Sequence, residues 1–173
     1  ENVAVKHNVK REDQDAFAVE SQRRAVAAWN AGAFAREVAP VLVKKGKVEE
    51  SFAKDESPRD DVTLEKLARL QPVFRKGGSV TAGNSSPIND GASAVLLASE
   101  DAVKKSGLTP LARVVSFAVA ALEPNTMGEG PIPATRKVLS RAGWTVNDLD
   151  LVELNEAFAA QALACMRALE LDP

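Results

Sequence analysis

The chain has 173 residues, 45% hydrophobic and 27% charged, the balance of a soluble globular protein and not of a collagenous, low-complexity or disordered one. Lys and Arg total 22 against 24 Asp and Glu, a formal net charge of −2, so no overall basic field argues for nucleic acid. One cysteine, Cys165, and one histidine, His7, exclude an internal disulfide framework, Cys-rich or multi-histidine metal sites and most Ser-His-Asp constellations within the chain.

No apolar run approaches the roughly 20 residues of a membrane span. The opening residues, ENVAVKHN, carry neither a signal nor a transit pattern, and a cytoplasmic location is the expectation. They lack an initiator Met, so the chain is expected to be processed or to be part of something longer.

The first clear element is a helix over 12–30. Ala16, Val19, Val26 and Trp29 recur at helical spacing, Gly32 follows, and Glu12 and Asp13 suit the positive end of the helix dipole. Residues 37–45, EVAPVLVKK, are β-branched and read as a strand, with Pro40 favouring a sheet edge. Residues 46–62 are polar, contain Pro58 and read as a long surface loop. A short helix is expected over 63–70 with Thr63 as its N-cap.

The remainder alternates between the two periodicities. Strands are expected over 93–97, 112–121 and 149–154. Helices are expected after Ser99, over 131–142 and over 156–169, with Gly107 and Gly143 ending the first two. This order predicts an α/β sheet with helix-covered faces, preceded by a loop-rich half of different character.

Two places carry chemistry. Residues 80–94, VTAGNSSPINDGASA, make turns whose small residues let a ligand approach the backbone, or whose Asn and Asp simply satisfy buried backbone groups. Residues 154–161, LNEAFAAQ, turn a strand directly into a helix, at the kind of strand end where open α/β sheets bind ligands. Asn155 there either presents its amide to a cleft or caps the helix. Glu156 reads as acidic chemistry or as a first-turn charge, and Phe158 as substrate wall or plain core.

Together these residues resemble the thiolase family. GNSSPINDGASAVLLAS, MGEGPIPATRKVL and DLDLVELNEAFAAQ look like its characteristic segments in order, and REDQDAFAVESQRRA and PRDDVTLEKLARLQPVF match its CoA-side region. The VELNEAFAAQALA stretch is most similar to 3-oxoacyl-CoA and 3-oxoadipyl-CoA thiolases. The resemblance implies an α/β, thiolase-like fold: a mixed sheet covered by helices, with a loop-domain portion. Residues 1–87 would be the later part of the CoA-binding loop domain, 88–110 the closing strand and helix of a first core domain, and 111–173 the opening of a second.

It further implies a central fragment of an acyl-CoA C-acyltransferase that makes or cleaves 3-oxoacyl-CoA through a cysteine thioester. CoA and acyl-CoA would be substrates, with no metal or other cofactor, no nucleic acid and no membrane, and the full-length parent would be a homo-oligomer. The nucleophilic cysteine, the histidine of a Gly-His-Pro segment and the second cysteine match nothing in this chain. Cys165 lies among Ala160, Leu163 and Met166 and is expected to be a buried, unreactive thiol; His7 is expected at the surface.

Carried over residue by residue, Asn155 matches the position that holds an oxyanion-stabilising water, Phe158 a position walling the acyl pocket, and Met127 another near the substrate. Ala82 and Ser86 match positions along the pantetheine arm, and Arg59 and Phe74 positions at the adenine and phosphate end. Pro87 and Lys66 depart from the family pattern. The rival reading is a truncated, non-catalytic thiolase-like domain that binds CoA or a partner. Within the same fold a decarboxylating condensing enzyme is disfavoured by the NEAF stretch.

Overall fold

The computed structural model describes residues 1–172. Two helices open the chain, α1 (Asn2–Lys6) and α2 (Arg11–Asn30). No Gly or Pro interrupts α2, and Glu12 and Asp13 lie in its first turn, where the exposed N–H groups favour negative charge. Lys10 stands at its N-cap without a side-chain capping bond.

The inward side of α2 differs from the apolar stripe expected. Its buried residues are Gln14, Asp15 and Ala18, while Ala16 is exposed and Val19, Val26 and Trp29 are half-buried. A polar face goes inside when its groups find partners there: Asp15 accepts from Arg11 and Asn84, and Gln14 donates through Nε2, although its Oε1 has no partner among the described residues.

The strand expected over 37–45 begins after Pro40, as β1 (Val41–Lys45). It pairs antiparallel with β2 (Val48–Phe52), inside the stretch read as a loop. Gly46, at φ +68, supplies the positive φ that the tight turn between them requires. The acidic, low-propensity sequence of β2 hid it; its partner in register, Val41 opposite Phe52, makes it a strand.

The local signals for the short helices hold. In α3 (Leu64–Ala68), Thr63 Oγ1 accepts from the Lys66 N–H, and in α4 (Glu100–Ser106), Ser99 Oγ accepts from the Ala102 N–H. Gly107 and Gly143 end α4 and α5 (Pro131–Ala142) in the left-handed conformation. The last helix, α6 (Ala159–Leu169), starts three residues later than the predicted 156–169.

The segments 93–97, 112–121 and 149–154 enter no ladder among the described residues. Their apolar side chains are exposed, Leu96 by 81% and Phe117 by 76%. Apolar, β-branched sequence supplies only half of a strand; the other half is a hydrogen-bonded neighbour and a covered face.

The chain divides into two compact units: Glu1–Pro87 with Leu154–Ala164, and Ile88–Glu153 with the residues from Cys165 onward. In the first unit Val3 of α1 and Val9 just after it pack with Leu163 and Ala164 of α6, and Ala4 of α1 packs with Val80 and Ala160. Each fully buried Val contributes about 1.5–3 kcal/mol. In the second unit Ile132 and Leu139 of α5 are buried, and Lys137 and Arg141 donate to the carbonyls of Val119 and Phe117.

Candidate functional site

The turn over residues 79–86 is tied down by buried polar groups. Asn84, 3% exposed, is its centre. Its Nδ2 donates to Asp15 Oδ1 at 3.0 Å and to the Ser79 carbonyl at 3.1 Å, and its Oδ1 accepts from the Thr81 N–H at 2.8 Å. Asp15 in turn accepts from Arg11 Nε at 2.7 Å, and the same guanidinium donates to the carbonyls of Leu67 and Leu70 at the end of α3. Gln14 Nε2 reaches the Val9 carbonyl and Ser79 Oγ.

The Glu1 carboxylate accepts from the Ser79 and Val80 N–H groups. Burial alone would push this carboxyl up; the two N–H donors, helped by nearby positive charge, outweigh it and hold the group below its ordinary value. A Cβ at Gly83 would meet Leu67 Cδ2 at 2.5 Å and Leu70 Cδ1 at 2.7 Å, so a larger residue there would have to push these two side-chain ends aside.

The tied turn then grips the start of α6. The Asn84 carbonyl accepts from the Ala159 N–H at 3.0 Å, and the Ser86 N–H donates to the Ala157 carbonyl at 3.0 Å. Ser85 bridges Phe158 antiparallel. The two stretches picked out in the sequence, GNSSP and NEAFA, are thus neighbours. Phe158 meets Phe74 edge-on, with ring centroids 6.0 Å apart, a favourable aromatic geometry.

Asn155 is exposed and makes no hydrogen bond among the described residues, and α6 begins only at Ala159. The capping alternative for Asn155 therefore falls away. Glu156 is likewise outside the helix's first turn. Its carboxylate accepts from Ser21 Oγ on α2 at 2.6 Å.

The other expected site residues are distributed as follows. Ala82 and Ser86 are exposed on the same turn. Arg59 is exposed, and its N–H donates to Gln22 Oε1 of α2 at 2.8 Å. Lys66 is engaged with Asp61, whose carboxyl it holds below the ordinary range through a hydrogen bond at 2.7 Å. Met127 belongs to the second unit, on a 3₁₀ turn over Pro124–Glu129, and is 77% exposed. Cys165, in the same unit, is fully buried, and its thiol donates to the Gly128 carbonyl at 3.5 Å. His7 is half-buried at the end of α1.

Sequence reasoning passed over Asp15, Gln22, Ser21 and the central role of Asn84. Arg11, Asp15, Ala18 and Gln22 do recur at i, i+4, i+7 and i+11, a stripe that a search for apolar residues alone does not register.

The sequence profile described as "Thiolase, N-terminal domain" matches residues 1–101, and the one described as "Thiolase, C-terminal domain" matches residues 108–173. The chain belongs to the thiolase family. It is 54% identical over 173 residues to an acetyl-CoA acetyltransferase of Paracoccus denitrificans, covering 100% of this chain and 44% of the relative. It is 52% identical to the mitochondrial 3-ketoacyl-CoA thiolase of Bos taurus with the same coverage. Among solved structures, the Bacillus anthracis acetyl-CoA acetyltransferase superposes with a TM-score of 0.92 at 48% identity, covering 99% of this chain and 43% of that one. The human mitochondrial 3-ketoacyl-CoA thiolase in complex with CoA gives 0.90 at 51% identity, covering 99% and 42%. The fold is therefore α/β and thiolase-like, and the chain spans less than half the length of these relatives.

Proposed function

We propose that this chain is the CoA-side and acyl-pocket portion of an acyl-CoA C-acyltransferase that makes or cleaves 3-oxoacyl-CoA with CoA. The observation that supports this reading most is the pinning of the GNSSP turn onto the NEAFA stretch. It juxtaposes a small-residue backbone surface, suited to a pantetheine arm, with an aromatic wall.

In this reading Ser86 and Ala82 border the pantetheine arm, Phe158 walls the acyl pocket, and Met127 is assigned to the substrate by its match to the family alone. Arg59 and Phe74 serve the phosphate and adenine end, where a planar guanidinium pairs with phosphate and an aromatic face stacks on a ring. Asn155 holds a water that donates to the thioester oxygen as negative charge develops on it. Its exposed, uncommitted amide suits that task. CoA enters as a substrate, and the chemistry needs no metal or redox group. Residues 1–87 would be loop domain, with 88–110 and 111–173 belonging to two core domains.

The covalent step requires a thiolate that attacks the 3-oxoacyl carbonyl and expels the acetyl-CoA enolate, which is then protonated. Free CoA next takes the acyl group from the enzyme thioester, restoring the thiol. Buried Cys165 is not that thiol. Acetoacetyl-CoA cleavage in the presence of CoA tests the reading. Turnover is expected from the native full-length protein and none from residues 1–173 alone. Turnover by residues 1–173 that Cys165→Ser abolishes would overturn the assignment of Cys165. CoA binding without any turnover in the native protein would replace the enzyme with a non-catalytic CoA-binding domain, the reading that a lone buried cysteine favours.

A further inference from the structure

We propose that α2 is the positioning bar of the acyl-CoA site, with Asp15, Ser21 and Gln22 each setting one of the three segments that carry its contacts. Asp15 and Gln22 lie seven residues apart on the stripe that also holds Arg11 and Ala18, and Ser21 lies on its flank, about two helical turns from Gln14. Each makes a side-chain hydrogen bond to a different part of the chain. Asp15 receives Asn84 Nδ2 at 3.0 Å and so fixes the turn that bears Ser86. Ser21 donates to Glu156 at 2.6 Å and so fixes the residue beside Asn155. Gln22 accepts the Arg59 N–H at 2.8 Å and so fixes the CoA-side segment.

A regular helix is stiff over this length, so the separation between its side chains is constant to within rotamer changes. Segments without regular structure are not stiff, and 57–62 and 154–158 belong to neither helix nor sheet apart from the single Phe158 bridge. Tying both to one helix makes them parts of one frame, in addition to the hydrogen bonds by which the 79–86 turn already holds Ala157 and Ala159. Glu156 thereby has an assigned task, which is to hold the Asn155 backbone through Ser21 and not to transfer protons. This inference rests on the acyl-CoA reading of the site.

The tethers serve different ends of the substrate, so their loss separates kinetically. In the native full-length protein, Ser21→Ala is expected to lower kcat for acetoacetyl-CoA cleavage about threefold to tenfold with KM for CoA unchanged, the range that one lost hydrogen bond spans. Gln22→Ala is expected to raise KM for CoA by about the same factor with kcat unchanged. Ser21→Thr keeps the hydroxyl and Gln22→Glu keeps an acceptor oxygen for the Arg59 N–H, so both should restore wild-type constants. Amide exchange at Arg59 should quicken in Gln22→Ala alone. Equal losses of kcat in both alanine variants, tracking their melting temperatures, would mean that α2 is only a structural support and would overturn the proposal while leaving the acyltransferase reading intact. Absence of acyl transfer in the unsubstituted protein would defeat that reading itself.

Discussion

The turn at 79–86 and the segments at 93–97, 112–121 and 149–153 stand at opposite ends of one scale. The turn is polar and yet largely buried: Thr81 is 0% and Asn84 3% exposed. The three segments are apolar and yet exposed, Val95 and Leu96 by 81% each. Side-chain hydrophobicity alone would order them the other way. The turn goes inside because its own side chains, together with Glu1, α2 and the start of α6, supply its hydrogen bonds, and a satisfied polar group costs little to bury. The segments stay outside because, among the described residues, no strand pairs with them and no face covers them. Available partners, more than polarity, decide what is buried here.

The largest test of that contrast is Asn84→Ala. It strips the buried Thr81 N–H of its acceptor and Asp15 Oδ1 of a donor, and unfolding by urea should show a loss of about 2–4 kcal/mol. A loss below about 0.5 kcal/mol would mean that water replaces the amide freely and that the turn is not held as described.

Asn155 stands at the edge of the tied region, exposed and without a hydrogen bond among the described residues, so it separates function from stability. In the native full-length protein, Asn155→Asp should leave the melting temperature within a degree or two while slowing acyl transfer by roughly tenfold to a hundredfold, less than loss of a direct oxyanion donor. The negative charge would sit beside developing negative charge, so Asp should harm at least as much as Ala. A stable Asn155→Asp variant with wild-type rates would remove Asn155 from the chemistry.

The exposed segments give the converse. In the 173-residue chain Leu96→Ser should change unfolding free energy by no more than about 0.5 kcal/mol, since the side chain leaves water little on folding. It should also reduce self-association on size exclusion, because it breaks a run of exposed apolar residues. A loss of about 2 kcal/mol or more would show the segment to be covered in solution.

The smallest effect belongs to Glu20, exposed on α2. Hydrogen bonds from Arg23 and Arg24 hold its carboxyl down to about 2. The folded value lies below the ordinary one of 4.5, so its stabilisation is present above that pH and fades as pH falls from there toward about 2. Water screens the pair, so Glu20→Gln should lower the melting temperature only slightly at pH 7 and still less near pH 2. A pH-independent effect would place its origin elsewhere.

The legible parts of the chain were those whose causes lie within a few residues. Thr63 and Ser99 accept from N–H groups three residues on, and Gly107 and Gly143 end their helices through their own backbone freedom. The same short range makes the motif runs readable, and they sufficed to identify the family. The unread parts depend on distant partners. Asn84 and Asp15 are 69 residues apart in the chain, and Glu156 and Ser21 are 135 apart. β2 exists because β1 pairs with it, and the start of α6 lies at Ala159 because the Asn84 carbonyl accepts that N–H. Local propensity therefore settled the caps of α3 and α4 and the ends of α4 and α5, while the motif runs carried the resemblance to the family. The burial of Gln14 and Asp15, the pairing of GNSSP with NEAFA and the engagement of Glu156 waited on folding, since a hydrogen bond between distant residues has no signature in either stretch until the chain brings the two together.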